Sequence, residues 1–127
     1  MIKSLSLALL ILLAGCASNL IQPQSDSIYK ISSGFGQKTP PTYIRFYDDK
    51  TYRSLDNFQG GDDKAVDILS KQPQQATSSG TYKISAESVM LHWQKGNLTG
   101  SKRLRARNGE IIGTHAGSDK IDLLPIR

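Results

Sequence analysis

Two patterns of apolar residues divide the chain. The first is a continuous apolar run over 5–13, broken only by Ser6 and preceded by a single lysine, Lys3. It is far shorter than the ~20 residues a membrane-spanning helix needs, and it suits the hydrophobic region of a secretory signal peptide. The second begins near residue 28, where apolar and polar residues alternate in short segments separated by turn-forming residues. That period of two marks strands with one face buried. Segment 27–32 predicts a first strand; Gly34, Gly36, Pro40 and Pro41 then interrupt the pattern. Over 42–47 it resumes, with Ile44 and Phe46 on one face and Tyr43, Arg45 and Tyr47 on the other. Asp48-Asp49-Lys50 turns the chain back into 51–55. After Gly60-Gly61 the period changes to that of a helix over about 62–72, with Asp62 as N-cap and Ala65, Ile68 and Leu69 along one side. Pro73 ends it. Further strands are predicted over 80–84, 88–95, 99–107, 110–115 and 120–124, and Asn108-Gly109 is a strong signal for a two-residue hairpin.

The fold expected from these elements is mainly β. It is an antiparallel meander of about eight strands forming a small barrel or half-barrel, with one short helix plugging or capping an end. Ile44, Phe46, Tyr52, Tyr82, Ile84, Val89, Leu91, Trp93, Leu104, Ile121 and Leu123 are the expected inward residues. So many bulky side chains in a small domain favour a filled interior over a large cavity.

The apolar leader ends in Leu13-Ala14-Gly15-Cys16, which resembles the lipobox of bacterial lipoproteins at all four positions. The resemblance implies a lipid thioether on Cys16, cleavage between Gly15 and Cys16, and acylation of the new amine. Residues 1–15 are then a signal peptide, 16–27 a lipidated flexible tether of polar composition, and 28–127 a single β-rich domain. Ala17 follows the cysteine where an Asp would, by the rule of that family, retain the protein in the inner membrane. The implied location is therefore the outer membrane, with the domain facing the periplasm. Cys16 is the only cysteine, so the mature chain has no disulfide and depends on core packing.

A second resemblance covers about residues 42–95. Phe46-Tyr47-Asp48-Asp49-Lys50-Thr51-Tyr52, then Gly80-Thr81-Tyr82-Lys83-Ile84 and Val89-Met90-Leu91, are similar to small bacterial lipocalin-like domains, except that Lys50 stands where such turns carry Gly. It implies a barrel and, with it, the option of carrying a small lipid or hydrophobic ligand. Two shorter fragments, Ser79-Gly80-Thr81-Tyr82 and His92-Trp93-Gln94-Lys95-Gly96, are similar to the loop motifs of periplasmic lysozyme inhibitors. The first is one residue short of that family's pattern, and the family's cysteines are missing.

Charge narrows the partners. The chain has 16 Lys and Arg against 11 Asp and Glu, and loss of residues 1–15 removes only Lys3 from the basic total. Such an excess favours anionic headgroups, acidic glycans or an acidic envelope protein over nucleic acid. In 99–107, Arg103, Arg105 and Arg107 share a strand face, with Lys102 on the other. They form a candidate anion or partner contact, or else a solvated face paired with Glu110 and Asp122. His92 and His115 are the only histidines, and two ligands do not close a metal site. No nucleophile motif and no marked general acid is present. The expected function is thus a non-enzymatic binding or interaction module, anchored by lipid and using neither metal nor cofactor. Its partner and oligomeric state are left open by the sequence.

Overall fold

The computed structural model describes residues 21–32, 39–114, 117 and 119–127. Eight strands form one antiparallel sheet: β1 (Ser27–Ser32), β2 (Thr42–Phe46), β3 (Thr51–Leu55), β4 (Ser78–Ile84), β5 (Ser88–Lys95), β6 (Leu98–Arg107), β7 (Glu110–Thr114) and β8 (Lys120–Pro125). Their order is β7-β6-β5-β4-β3-β2-β1-β8, so every strand pairs with its chain neighbour except β8, which returns to pair with β1. The sheet curls into a nearly closed barrel, with β7 and β8 facing each other across the seam. Strand ends depart from expectation by a residue or two, and His115 lies outside the described residues.

Turn chemistry sets the registers. Asn108 and Gly109 both take positive φ, 54° and 83°, the geometry a tight hairpin requires. Lys50, at a position where glycine was the expected residue, adopts the same left-handed region at φ 66°. It is held by the β2–β3 turn, where Asp49 accepts hydrogen bonds from the Thr51 backbone and hydroxyl.

Alternation fills the barrel. Phe46, fully buried, meets Tyr29 and Tyr82 edge-on, with ring centroids 5.5 and 4.9 Å away. Tyr52, Val89, Leu91, Leu104 and Ile111 complete the same cluster, and Ile84, Trp93 and Ile121 border it. Leu123 departs from the expected interior. It lies opposite Tyr29 on β1, yet it is 45% exposed, because β8 is the last strand of the sheet and nothing is hydrogen-bonded beyond it.

The helix α1 (Asp62–Lys71) neither plugs nor caps an end. Ala65, Val66 and Leu69 pack on the outer wall, against Ile28, Tyr43 and Leu55. The reason is that β1–β3 carry apolar residues on both faces, and the outer set needs a cover. Gly61, not Asp62, occupies the N-cap position. The Asp62 carboxylate instead accepts from the Tyr43 hydroxyl at 2.5 Å and pairs with Lys30 at 2.8 Å. At the other end, Arg45 and Arg53 donate to the carbonyls of Leu69 and Pro73 at 2.8 and 2.9 Å, which suits the negative pole of the helix.

Lys30, then Tyr43, hold the Asp62 carboxyl below its ordinary pKa. Because the folded value lies below the unfolded one, its contribution is complete above the unfolded value of ~4 and is lost as pH falls through the folded one. Asp62→Asn is expected to cost less than about 1 kcal/mol at neutral pH, since the pair is partly exposed. It should also remove part of the fall in stability below pH ~4. Urea midpoints of both proteins at neutral and acid pH check this; parallel acid losses would show that the contact does not matter.

Candidate binding site

The two ends of the barrel are built differently. At one end the β2–β3, β4–β5 and β6–β7 turns converge, and residues 21–24 run across them. Pro23 is buried there, the Gln24 amide donates to the Tyr29 hydroxyl at 3.1 Å, and Lys50 Nζ reaches the Gln22 side chain at 2.5 Å. Gly109 lies so close to the Ile21 carbonyl that a Cβ would overlap it. The Tyr29 hydroxyl in turn donates to Glu110. Burial first, then the bond to Glu110, raises the Tyr29 pKa, so the phenol stays protonated as a donor. The last part of the segment expected as tether, 16–27, is therefore built into this end, and Ser27 already belongs to β1.

The opposite end is open. Above the aromatic layer the inward positions change from large and apolar to small and polar: Thr42, Ser54 and Ser78. This leaves a cleft of about 310 Å³ bounded by Ile44, Tyr52, Leu91 and Trp93. Ser54 and Ser78 face each other across β3 and β4, and their hydroxyls donate to the two oxygens of Asp56 at 2.9 and 2.5 Å. The rim carboxylate is thereby occupied. Lys95 and Lys102 line the same cleft. Among the described residues neither has an ion pair. Tyr52 keeps its proton, because burial and then the nearby Asp56 charge push its pKa up to about 12.

Trp93 is the wall of this mouth, and two glycines fix it. It pairs with Gly80 on β4 and Gly100 on β6. A Cβ on Gly100 would overlap the indole, which lies across it, and one on Gly80 would strike the His92 carbonyl. Cross-strand glycines thus give the ring its place and let the strands approach closely.

Arg103, Arg105 and Arg107 lie on the outer wall of β6, as alternation required. Arg103 stands opposite Met90, and Arg105 between Ser88 and Gly113. The pairing expected with Glu110 and Asp122 is not made. Glu110 accepts from Tyr29, Asp122 lies 3.9 Å from Lys120, and no ion pair to the three arginines occurs among the described residues. His92 is also on the outer wall, its Nδ1 3.1 Å from the Ser101 hydroxyl. Among the described residues no group of three His, Cys, Asp or Glu side chains is placed to hold a metal, and no helix is long and apolar enough to cross a membrane. Gly15 and Cys16 lie outside the described residues.

The fragments similar to lysozyme-inhibitor motifs fall on neighbouring strands, with Ser79 opposite Gln94 and Thr81 opposite His92. They sit within regular strands and not in loops, apart from Gly96 at the β5–β6 turn. Of the mouth residues, Thr42, Ser54, Asp56 and Ser78 were not singled out by the sequence, Lys95 entered only through the lysozyme-inhibitor-like fragment, and Lys102 only as the residue opposite the three arginines. One signal was available: Lys102 shares its strand face with Leu104, an expected inward residue.

Comparison of the chain with known protein families, with curated proteins and with solved structures found no match.

Proposed function

We propose that this chain is a cell-envelope lipoprotein, anchored through acylated Cys16 and without enzymatic activity. Its domain binds a small amphiphilic anion in the open mouth of the barrel. One observation carries the ligand reading: a cleft of about 310 Å³ whose floor is apolar and aromatic and whose rim holds Lys95 and Lys102 without ion pairs among the described residues. Volumes from roughly 300 Å³ upward accommodate small molecules, and a few placed polar groups on an apolar lining orient them. An apolar tail would replace water against Trp93 and Leu91. Its carboxylate or phosphate would meet the ammonium groups at the rim, where Asp56 is already engaged by two serines. The arginines on the outer wall are then a separate cationic surface, suited to anionic headgroups or glycans.

Trp93 is the only tryptophan, so the site carries its own reporter. Octanoate, octanol and octylamine are to be titrated into the domain exported without Cys16, with emission from Trp93 as the readout. Octanoate is expected to bind most tightly and octylamine least. Replacing both Lys95 and Lys102 with Gln should weaken octanoate about tenfold, equivalent to ~1.4 kcal/mol. Unchanged emission with all three compounds would remove the mouth as the site.

A further inference from the structure

We infer that the barrel is held with its closed end toward the anchoring membrane and its mouth away from it, so that the mouth exchanges its ligand with the aqueous compartment and not with the bilayer carrying the anchor. This rests on the acylation of Cys16 proposed above and adds where the site stands relative to the lipid.

The geometry begins at Ile21. Its carbonyl is set against Gly109 in the β6–β7 turn, and Gln22 and Gln24 are bonded to Lys50 and Tyr29, all at the end opposite the mouth. The described residue nearest the lipid-bearing cysteine in sequence is therefore at the closed end. Cys16 precedes Ile21 by five residues. Even fully extended, these reach at most roughly 18 Å, at ~3.3–3.6 Å each. The barrel wall is longer. β6 alone has 10 residues, which at ~3.3 Å each, allowing for strand tilt, rise roughly 25 Å along the axis. To press its mouth on the bilayer, the domain would need an anchor able to run the full height of the wall, and this one falls short.

Exposed apolar and charged side chains lie at both ends, so the reach of the anchor, and not surface chemistry, sets the orientation. Ile21 is 54% exposed beside the anchor, and Leu98, in the β5–β6 hairpin at the mouth, is 67% exposed. Around Ile21 the exposed residues Asp26, Asp48, Asp49 and Glu87 stand together with Lys50 and Arg107, so charge alone does not direct this end toward or away from the headgroups. Lys95 and Lys102 are carried at the mouth, where the β5–β6 hairpin points away from the closed end. A partner of this mouth is thus a soluble amphiphilic anion, or a donor that approaches from the aqueous side.

Purified native protein reconstituted in phosphatidylcholine vesicles with dansyl-labelled headgroups provides the test. Intact mass is measured first. A chain without acyl groups on Cys16 would overturn the lipoprotein reading and this inference with it. With acylation established, energy transfer to the headgroups is compared from two positions: Trp93 at the mouth, and a tryptophan at the closed end in the double variant Trp93→Phe, Glu87→Trp. Transfer from the mouth is expected to be several-fold weaker. Insertion of a long Gly/Ser segment after Leu20 should erase most of that difference. Equal or stronger transfer from Trp93 in the acylated native protein would overturn the orientation while leaving the anchor intact.

Discussion

Phe46→Ala is expected to cost about 3–5 kcal/mol, the range for deleting a buried aromatic side chain and leaving its cavity. Phe46 is fully buried at the centre of a ring cluster, with Tyr29, Tyr52 and Tyr82 within 6.4 Å of its centroid. Three of its neighbours are tyrosines, and two of them are held by bonds their hydroxyls make. Tyr29 donates to Glu110, and Tyr82 to the Tyr47 carbonyl at 2.7 Å. The rings cannot collapse into the vacated space without giving up those bonds, so little of the loss is recovered by relaxation. Domains of this kind have roughly 5–15 kcal/mol of stability in all, so the midpoint of thermal unfolding should fall by roughly 10–20 °C. Phe46→Leu, closer in volume, should lose much less. Urea unfolding of the three proteins gives the comparison. A loss below about 1 kcal/mol for the alanine variant would mean that this layer is not the packed floor of the barrel.

The sequence made that floor legible and left the mouth obscure, for one reason. Period-two alternation shows which side of a strand is apolar, so Ile44, Phe46, Tyr82, Val89, Leu91 and Leu104 were placed from the pattern alone. The same parity assigned Lys102 to the inside, but a lysine is read as solvent-facing unless the wall is known to end there. Ser54 and Ser78 are silent in the same way: their meaning comes from facing each other across β3 and β4 and sharing one carboxylate. Apolar residues on both faces of β1 and β2 — Ile28 with Tyr29, Tyr43 with Ile44 — were the sign that the helix would lie on the wall. The docking of residues 21–24 against the closed end was illegible. It depends on the Ile21 carbonyl lying against Gly109 and on Gln22 meeting Lys50, both distant in sequence, and on the Gln24 amide reaching the Tyr29 hydroxyl. Composition shows only a Pro and polar side chains there.

Loss of the Cys16 thiol is expected to release the domain from the membrane fraction. An acyl chain contributes about 0.8 kcal/mol per buried CH₂, and a single chain binds only marginally, whereas the two or three implied by the lipobox make release negligible. Among the described residues no helix is long and apolar enough to cross a membrane, and the exposed large apolar side chains Ile21, Leu98, Ile112 and Leu123 are scattered singly over the barrel. Cys16→Ser alone is ambiguous, because in the lipoprotein family cleavage follows lipidation and an uncleaved apolar leader would keep its own affinity for the bilayer. The informative variant replaces residues 1–16 with a conventional cleavable leader ahead of Ala17. Its mature chain should appear in the soluble envelope fraction, while the native chain sediments with membranes and carries acyl mass at its amino terminus. The barrel should be the same in both, since both chains keep Ile21, Gln22 and Gln24, whose contacts close that end. A native chain of unmodified mass, or a thiol-free chain that still sediments with membranes, would replace the lipid anchor with a protein contact, and the exposed arginines of β6 would be the first surface to search for it.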